Sequence, residues 1–174
     1  MQISFVLTAL SDDQPGLVKT LADVINEYAG SWTDSRMIHL AGKFAGLLKV
    51  TVPEQQADEL ISALNSLQDD GIEIAIETIT EGPASSSETQ IIEVLGQDAP
   101  GIINAITNQL AGLAVNIEEL YSEQRPAPMS SEKLFYAKLK LSICFVLLYT
   151  SGKLALNCLG VSIKVSIITA KNSN

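Results

Sequence analysis

A five-residue motif occurs twice in the sequence and constrains the fold more than any other feature. Asp13-Gln14-Pro15-Gly16-Leu17 recurs as Asp98-Ala99-Pro100-Gly101-Ile102, 85 positions later. An alternating apolar run precedes each copy and an amphipathic helical pattern follows it, so each copy marks a turn from a strand into a helix. The 174 residues are therefore predicted to form two small units rather than one large domain.

The first unit, residues 1–80, has the pattern strand, helix, strand, strand, helix, strand. The alternation of its first strand is interrupted by polar residues after Ala9. Pro15 is expected at the first position of the first helix, with Asp13 as its cap. Pro53 is expected to open the second helix in the same way.

This element order predicts an α+β fold. Two ferredoxin-like βαββαβ units would each place two helices on one face of a four-stranded, mainly antiparallel sheet. The two middle strands of the first unit would be joined by a hairpin across residues 41–43. The opposite face of each sheet lacks a cover within its unit, and such a face is usually buried by a second copy, from the same chain or from a partner.

Residues 81–88 are rich in small and turn-forming residues, which predicts a flexible linker. The second unit, residues 89–174, repeats the pattern of the first, with a polar loop predicted over residues 123–131. The match between the two copies is expected to shift after the first helix. The two prolines of the motif are 85 positions apart, whereas matching Trp32 to Asn116 gives 84, which predicts an indel of one residue in the helix-to-strand loop.

The last part of the chain, residues 142–174, departs from the repeat. It contains no Asp or Glu and carries a charge of +3, whereas residues 1–141 hold 8 basic and all 20 acidic residues, so that 8 − 20 = −12. The acidic amphipathic helix expected from the first unit is therefore missing. We interpret this segment as a reading-frame or gene-model departure or as a divergent end, with a poor helix over 147–158 and a terminal strand within 161–169.

Composition and motifs exclude several functional classes. A net charge of −9 disfavours direct binding to nucleic acid. The two cysteines lack the spacing of a zinc site or a disulfide framework, and no apolar run is long enough to cross a membrane. No motif of a nucleophilic, metal-dependent or nucleotide-binding enzyme occurs. We therefore expect a cytoplasmic protein that is not an enzyme and has no metal or cofactor.

Some of these residues have a purely structural interpretation as well as a functional one. The acidic residue of each motif can be only a helix cap. Arg36 can be a surface charge or an ion-pair partner, and the single histidine, His39, is expected to be a strand or dimer-contact residue rather than a base. Trp32 is expected to contribute packing.

The repeated turn and the element order resemble tandem ACT domains, which are small amino-acid-sensing regulatory modules. The run from Leu7 to Val18, the segment Trp32-Thr33-Asp34-Ser35-Arg36-Met37 and the segment Asn116-Ile117-Glu118-Glu119-Leu120 resemble more closely the family of the glycine cleavage system transcriptional repressor. The resemblance covers about residues 1–141.

The resemblance implies an amino-acid site between the repeated turn and the second strand of a paired unit. The amides at the start of each helix would favour a carboxylate, and the motif aspartate would accept from an ammonium group. The implied ligand-binding residues are the ten residues of the two motifs together with Asp34, Ser35, Arg36 and Asn116. Glycine or serine is the implied ligand.

Three functions follow from the resemblance. The first is a repressor-type transcriptional regulator of glycine cleavage, a homodimer that senses an amino acid and acts through a DNA-binding transcriptional regulator protein. The second is an allosteric subunit of an amino-acid metabolic enzyme. The third is a pair of ligand-free ACT units that only oligomerise.

Overall fold

A computed structural model of the chain describes residues 1–79, 88–127, 133–143 and 164–169. For residues 88, 143 and 164–169 the description is limited to the backbone. The chain divides into two compact units, Met1–Pro83 and Ala84–Asn174. The predicted helix over 147–158 lies outside the described residues.

The first unit contains four strands and two α-helices. In chain order these are β1 (Gln2–Asp12), α1 (Leu17–Glu27), β2 (Ser31–Leu40), β3 (Lys43–Pro53), α2 (Ala57–Ser66) and β4 (Glu73–Ile79). Short 3-10 turns, Glu54–Gln56 and Leu67–Asp70, flank α2. The described part of the second unit contains β5 (Glu88–Gln97), α3 (Ile102–Gly112), β6 (Asn116–Pro126), β7 (Lys133–Ile143) and β8 (Lys164–Thr169). Residues 144–163, between β7 and β8, lie outside the described residues.

Both units form a four-stranded sheet with the same topology. The strand orders are β2-β3-β1-β4 and β6-β7-β5-β8, and neighbouring strands are antiparallel throughout. The predicted α+β fold of two ferredoxin-like units is therefore confirmed, and β8 confirms the terminal strand within 161–169.

Side chains alternate between the two faces of each sheet because successive residues of a strand point to opposite sides. In the first unit, the helix face buries Phe5, Leu7 and Ala9 of β1 against α1 and α2. In the second unit, Ile92 and Val94 of β5 pack with α3 in the same way. We call the opposite side of each sheet its outer face.

Three element boundaries in the first unit differ from the prediction. β1 continues past Ala9 to Asp12, because it stays paired with β3 as far as Asp12 and Lys43. Pro15 lies in the turn and not in α1, which begins at Leu17, and no side chain caps this helix, so the predicted Asp13 cap is wrong. Pro53 similarly ends β3 rather than opening α2.

The predicted indel between the copies is also wrong. The helices start at Leu17 and Ile102, 85 positions apart, and Ala29 and Ala114, which lie in the loops after these helices, both have φ 54°. Strand pairing then matches Trp32 to Ile117, and a β-bulge follows both residues. The offset of 85 therefore holds through the second strand.

Two loops are shorter than predicted. The hairpin between β2 and β3 consists of Ala41 and Gly42, whose φ values of 51° and 79° suit the right-handed twist of the flanking strands. In the second unit, β6 runs to Pro126 through part of the predicted polar loop 123–131. Polar residues continue this strand because it lies at the edge of its sheet.

The register of β3 predicts opposite outcomes for two neighbouring leucines. We expect Leu48→Ala, at a position 1% exposed, to lower the free energy of unfolding by about 2–5 kcal/mol, since it leaves a cavity in the core. Leu47→Ala, on the outer face at 49% exposure, should change it by about 0.5 kcal/mol or less. Urea unfolding followed by fluorescence of the single tryptophan, Trp32, measures both; equal losses would contradict the assigned register.

Candidate functional site

The two repeated turns have the same backbone construction. Gly16 and Gly101 are left-handed, with φ of 99° and 86°, and the carbonyl of each accepts the first hydrogen bond of its helix at 2.9 Å. The backbone amides of Asp13 and Asp98 donate to the carbonyls of Gly42 and Lys133, at 3.0 and 3.1 Å. Each turn is thus tied to the start of the third strand of its unit.

The turn of the second unit borders a cavity of about 450 Å³. No side chain caps α3, so the amides of Ile103 and Asn104 in its first turn lie at the positive end of the helix without a capping side chain. The cavity is lined by Asp98, Gly101, Ile102, Ile103 and Asn104 from the turn and helix, and by Ser122, Glu123, Gln124 and Phe135 from the strands.

One strand residue is bonded directly to the turn. The Gln124 side-chain amide donates to Asp98 Oδ2 at 2.6 Å, and Lys133 Nζ donates to Gln124 Oε1 at 3.2 Å. Gln124 and Ser122 lie on the helix face of β6, because their partners on β7 are the buried Phe135 and Ala137. The cavity therefore lies between the start of α3 and the end of β6.

The two sides of the cavity favour ligand groups of opposite charge. The start of α3 favours an anion such as a carboxylate, whereas the Asp98 carboxylate and the Gln124 carbonyl oxygen can accept hydrogen bonds from a cation. A cavity of this volume is within the range of small-molecule sites. The site can accommodate a small zwitterion.

The first unit has a histidine at the position of Gln124. His39 pairs with Phe44 on β3 as Gln124 pairs with Phe135 on β7. His39 Nε2 lies 3.6 Å from Asp13 Oδ2, with both side chains about half exposed. Neither strand residue was predicted as a neighbour of the turn, although the offset of 85 between positions 39 and 124 is a signal in the sequence that relates them.

The predicted strand residues lie elsewhere within their units. Asp34 and Arg36 are on the outer face of the first sheet, where they pair at 3.0 Å, and with Ser35 they line a separate cavity of about 240 Å³. At roughly 3.3 Å per residue, Asp34 is about 17 Å from His39 along β2. Asn116 begins β6 and is about 26 Å from Gln124 by the same measure. Of the predicted residues, Asp98, Gly101 and Ile102 line the cavity beside α3, whereas Ala99 and Pro100 of the same motif do not.

A polar and aromatic cluster occupies the outer face of the second sheet. Tyr121 donates to Glu123 at 2.7 Å, Arg125 pairs with Glu123, and the Arg125 guanidinium lies 3.6 Å above the ring of Tyr136. The hydrogen bonds from Tyr121 and then Arg125 lower the pKa of Glu123, and the bond to Glu123 raises the pKa of Tyr121. Burial and a hydrogen bond to Glu93 raise the pKa of Tyr136.

Within the part of the chain that the structure describes, no group of three or more His, Cys, Asp or Glu side chains could hold a metal ion. No helix among the same residues is long and apolar enough to cross a membrane.

Comparison with known proteins finds a family match for the first unit and a shared fold for the whole chain. A family model for the ACT domain matches residues 4–77. An unknown protein from Galdieria sulphuraria is 24% identical, with a TM-score of 0.76 over 97% of this chain and 99% of its own. A candidate glycine cleavage system transcriptional repressor is 15% identical, with a TM-score of 0.72 over 98% of this chain and 99% of its own. No curated protein sequence matches the chain.

The left-handed glycine of the second turn gives a stability prediction. Gly101→Ala meets no atom within 4 Å, but its φ of 86° should cost about 1–3 kcal/mol of unfolding free energy through backbone strain. Gly112→Ala, at the end of α3, also has open space and no left-handed φ, and should be neutral or stabilising by up to about 1 kcal/mol. Urea unfolding followed by circular dichroism measures the free energy of unfolding of both variants. A Gly101→Ala variant as stable as the wild type would contradict the predicted strain.

The outer-face cluster gives a prediction on pH. Tyr121→Phe removes the largest cause of the low Glu123 pKa, so this pKa should rise towards that of an ordinary glutamate. A lowered pKa in the folded state stabilises the fold above the ordinary pKa, and this contribution disappears as the pH falls through the folded value. The variant should therefore lose stability near neutral pH and match the wild type in acid. Carboxyl NMR titration and unfolding at several pH values measure this; an unchanged Glu123 pKa would contradict it.

Proposed function

We propose that this chain, whose first unit is an ACT domain, is a non-enzymatic regulatory protein that senses a free amino acid. The observation that supports the proposal most directly is the cavity beside Asp98, Gly101 and α3 in the second unit. Because this cavity lies in the second unit, the proposal concerns both units and not the first unit alone.

The chemistry of the cavity fits an amino-acid zwitterion. Its carboxylate would face the amides of Ile103 and Asn104 at the helix start, where negative charge is favoured. Its ammonium group would donate to Asp98 and to the Gln124 carbonyl oxygen. Phe135 and Ile102 supply apolar surface beside these groups. Glycine or serine is the proposed ligand because their small side chains demand little further space.

The proposed output is regulation of transcription through another protein. A chain with a net charge of −9 would be repelled by a phosphate backbone, so a DNA-binding regulator would have to supply the contact with DNA. Glycine cleavage is proposed as the regulated process because the chain shares its fold with the candidate repressor described above. A homodimer in the cytoplasm is the proposed state.

An apolar patch favours a second function, that of an allosteric subunit of an amino-acid metabolic enzyme. On the outer face of the first sheet, Leu10, Ile38 and Leu40 are 44%, 52% and 70% exposed, and Leu47 lies beside them. Exposed apolar patches commonly mark protein interfaces. Affinity purification separates the two functions, since a DNA-binding regulator supports the first and a biosynthetic enzyme the second.

The sensing function is tested by thermal unfolding with each of the twenty amino acids at millimolar concentration. A ligand at about 100 times its Kd stabilises the native state by about 2.7 kcal/mol, so its amino acid should raise Tm by several degrees. Asp98→Asn should abolish this rise, because its neutral amide loses the attraction to an ammonium group. Asp69→Asn, in the exposed turn after α2, is the matched control and should retain it. No rise with any amino acid would refute the sensing function.

A further inference from the structure

The two repeated turns share a backbone but differ in the side chains that face them. Strand register places Met37 of the first unit where the second unit has Ser122. The partner residue on the neighbouring strand changes in the opposite sense, since Met37 pairs with Gly46 whereas Ser122 pairs with Ala137. The first unit thus has a large side chain opposite a glycine, and the second unit has a small side chain opposite an alanine.

Met37 occupies space on the helix face of the first sheet. A Cβ atom on Gly46 would lie 3.2 Å from Met37 Cγ and 3.4 Å from Met37 Cε, so the methionine side chain lies over the glycine. It also packs against the core cluster that contains Leu17, the first residue of α1. In the second unit the corresponding side chain, Ser122, is exposed and lines the cavity.

The strand residue at the turn also differs. Gln124 presents both an amide donor and a carbonyl acceptor, and it binds Asp98 at 2.6 Å. In the first unit, His39 approaches Asp13 only to 3.6 Å. The second unit therefore has a small strand residue, Ser122, beside a carboxylate that is held by a hydrogen bond. The first unit has the bulky Met37 at the same position and a longer distance between His39 and Asp13.

We infer that the chain binds one amino acid, at the turn of its second unit, and that Met37 closes the corresponding space in the first unit. This inference rests on the proposed sensing function and assigns the site within it. The residue pair at positions 37 and 122 then determines which of the two turns accepts a ligand.

Titration calorimetry of the full chain with glycine tests the inference, and any other of the twenty amino acids that raises Tm more is titrated as well. The wild type should bind one equivalent per chain. Ser122→Met should weaken binding at least tenfold, because it places the first unit's side chain in the cavity. Lys138→Met adds the same side chain at an exposed position on the outer face of β7 and should leave affinity within twofold.

The reciprocal change tests the first unit. Met37→Ser should leave the affinity of the original site within twofold, and the double variant Met37→Ser, His39→Gln should add a second, weaker equivalent of ligand. Melting temperatures of all variants, measured without ligand, identify any that fail to fold. Because Ser122 is exposed, Ser122→Met is expected to fold and remains decisive if the Met37 variants do not.

The outcomes separate this inference from the sensing function. Two equivalents bound by the wild type, or undiminished binding by a folded Ser122→Met variant, would overturn the single-site assignment and leave amino-acid sensing intact. Loss of binding in Met37→Ser with retention in Ser122→Met would place the site in the first unit and overturn it as well. No binding of any amino acid would overturn the sensing function, and the inference with it.

Discussion

The left-handed glycine at the end of each strand-to-helix turn is the constraint on which both units depend. Between Asp12 and Leu17 the chain must leave the sheet and return across it, and a φ of 99° at Gly16 makes this possible without the strain that a side chain would add. The glycine carbonyl then accepts the first helical hydrogen bond, which directs Leu17 into the core. Gly101 does the same for Ile102.

The order and type of the elements could be predicted because hydrophobic periodicity reports burial along a single element. Their ends could not. Ser11 is buried although it is polar, so the inward alternation of β1 continues beyond the point where hydropathy suggests a break. Proline has a general preference for the first position of a helix. Here, however, the left-handed Gly16 lies immediately before the helix, so Pro15 lies in the turn.

The candidate site was only partly predictable for a related reason. The motif residues are adjacent in sequence, and their recurrence in a second copy makes them recognisable. The residues that face them are fixed by strand register, and Gln124 reaches Asp98 across 26 positions. Assuming an indel between the copies moved the match by one residue, which in a strand exchanges the two faces. The constant offset that the structure shows equates His39 with Gln124 and places both beside a turn.

The second strand of each unit carries the side chains that distinguish the two turns, and its position explains why it can. It lies at the edge of its sheet, whereas the two central strands supply most of the buried strand residues of each core. Its outer face has therefore changed from Ile38 and Leu40 to Glu123 and Arg125 without a change in pairing. Its helix face has changed with equally little effect on the backbone. Under the proposed single-site assignment, duplication of the unit allows a turn that is needed for folding in both copies to serve as a binding site in one, because the glycine of the turn and the strand residue beside it are separate.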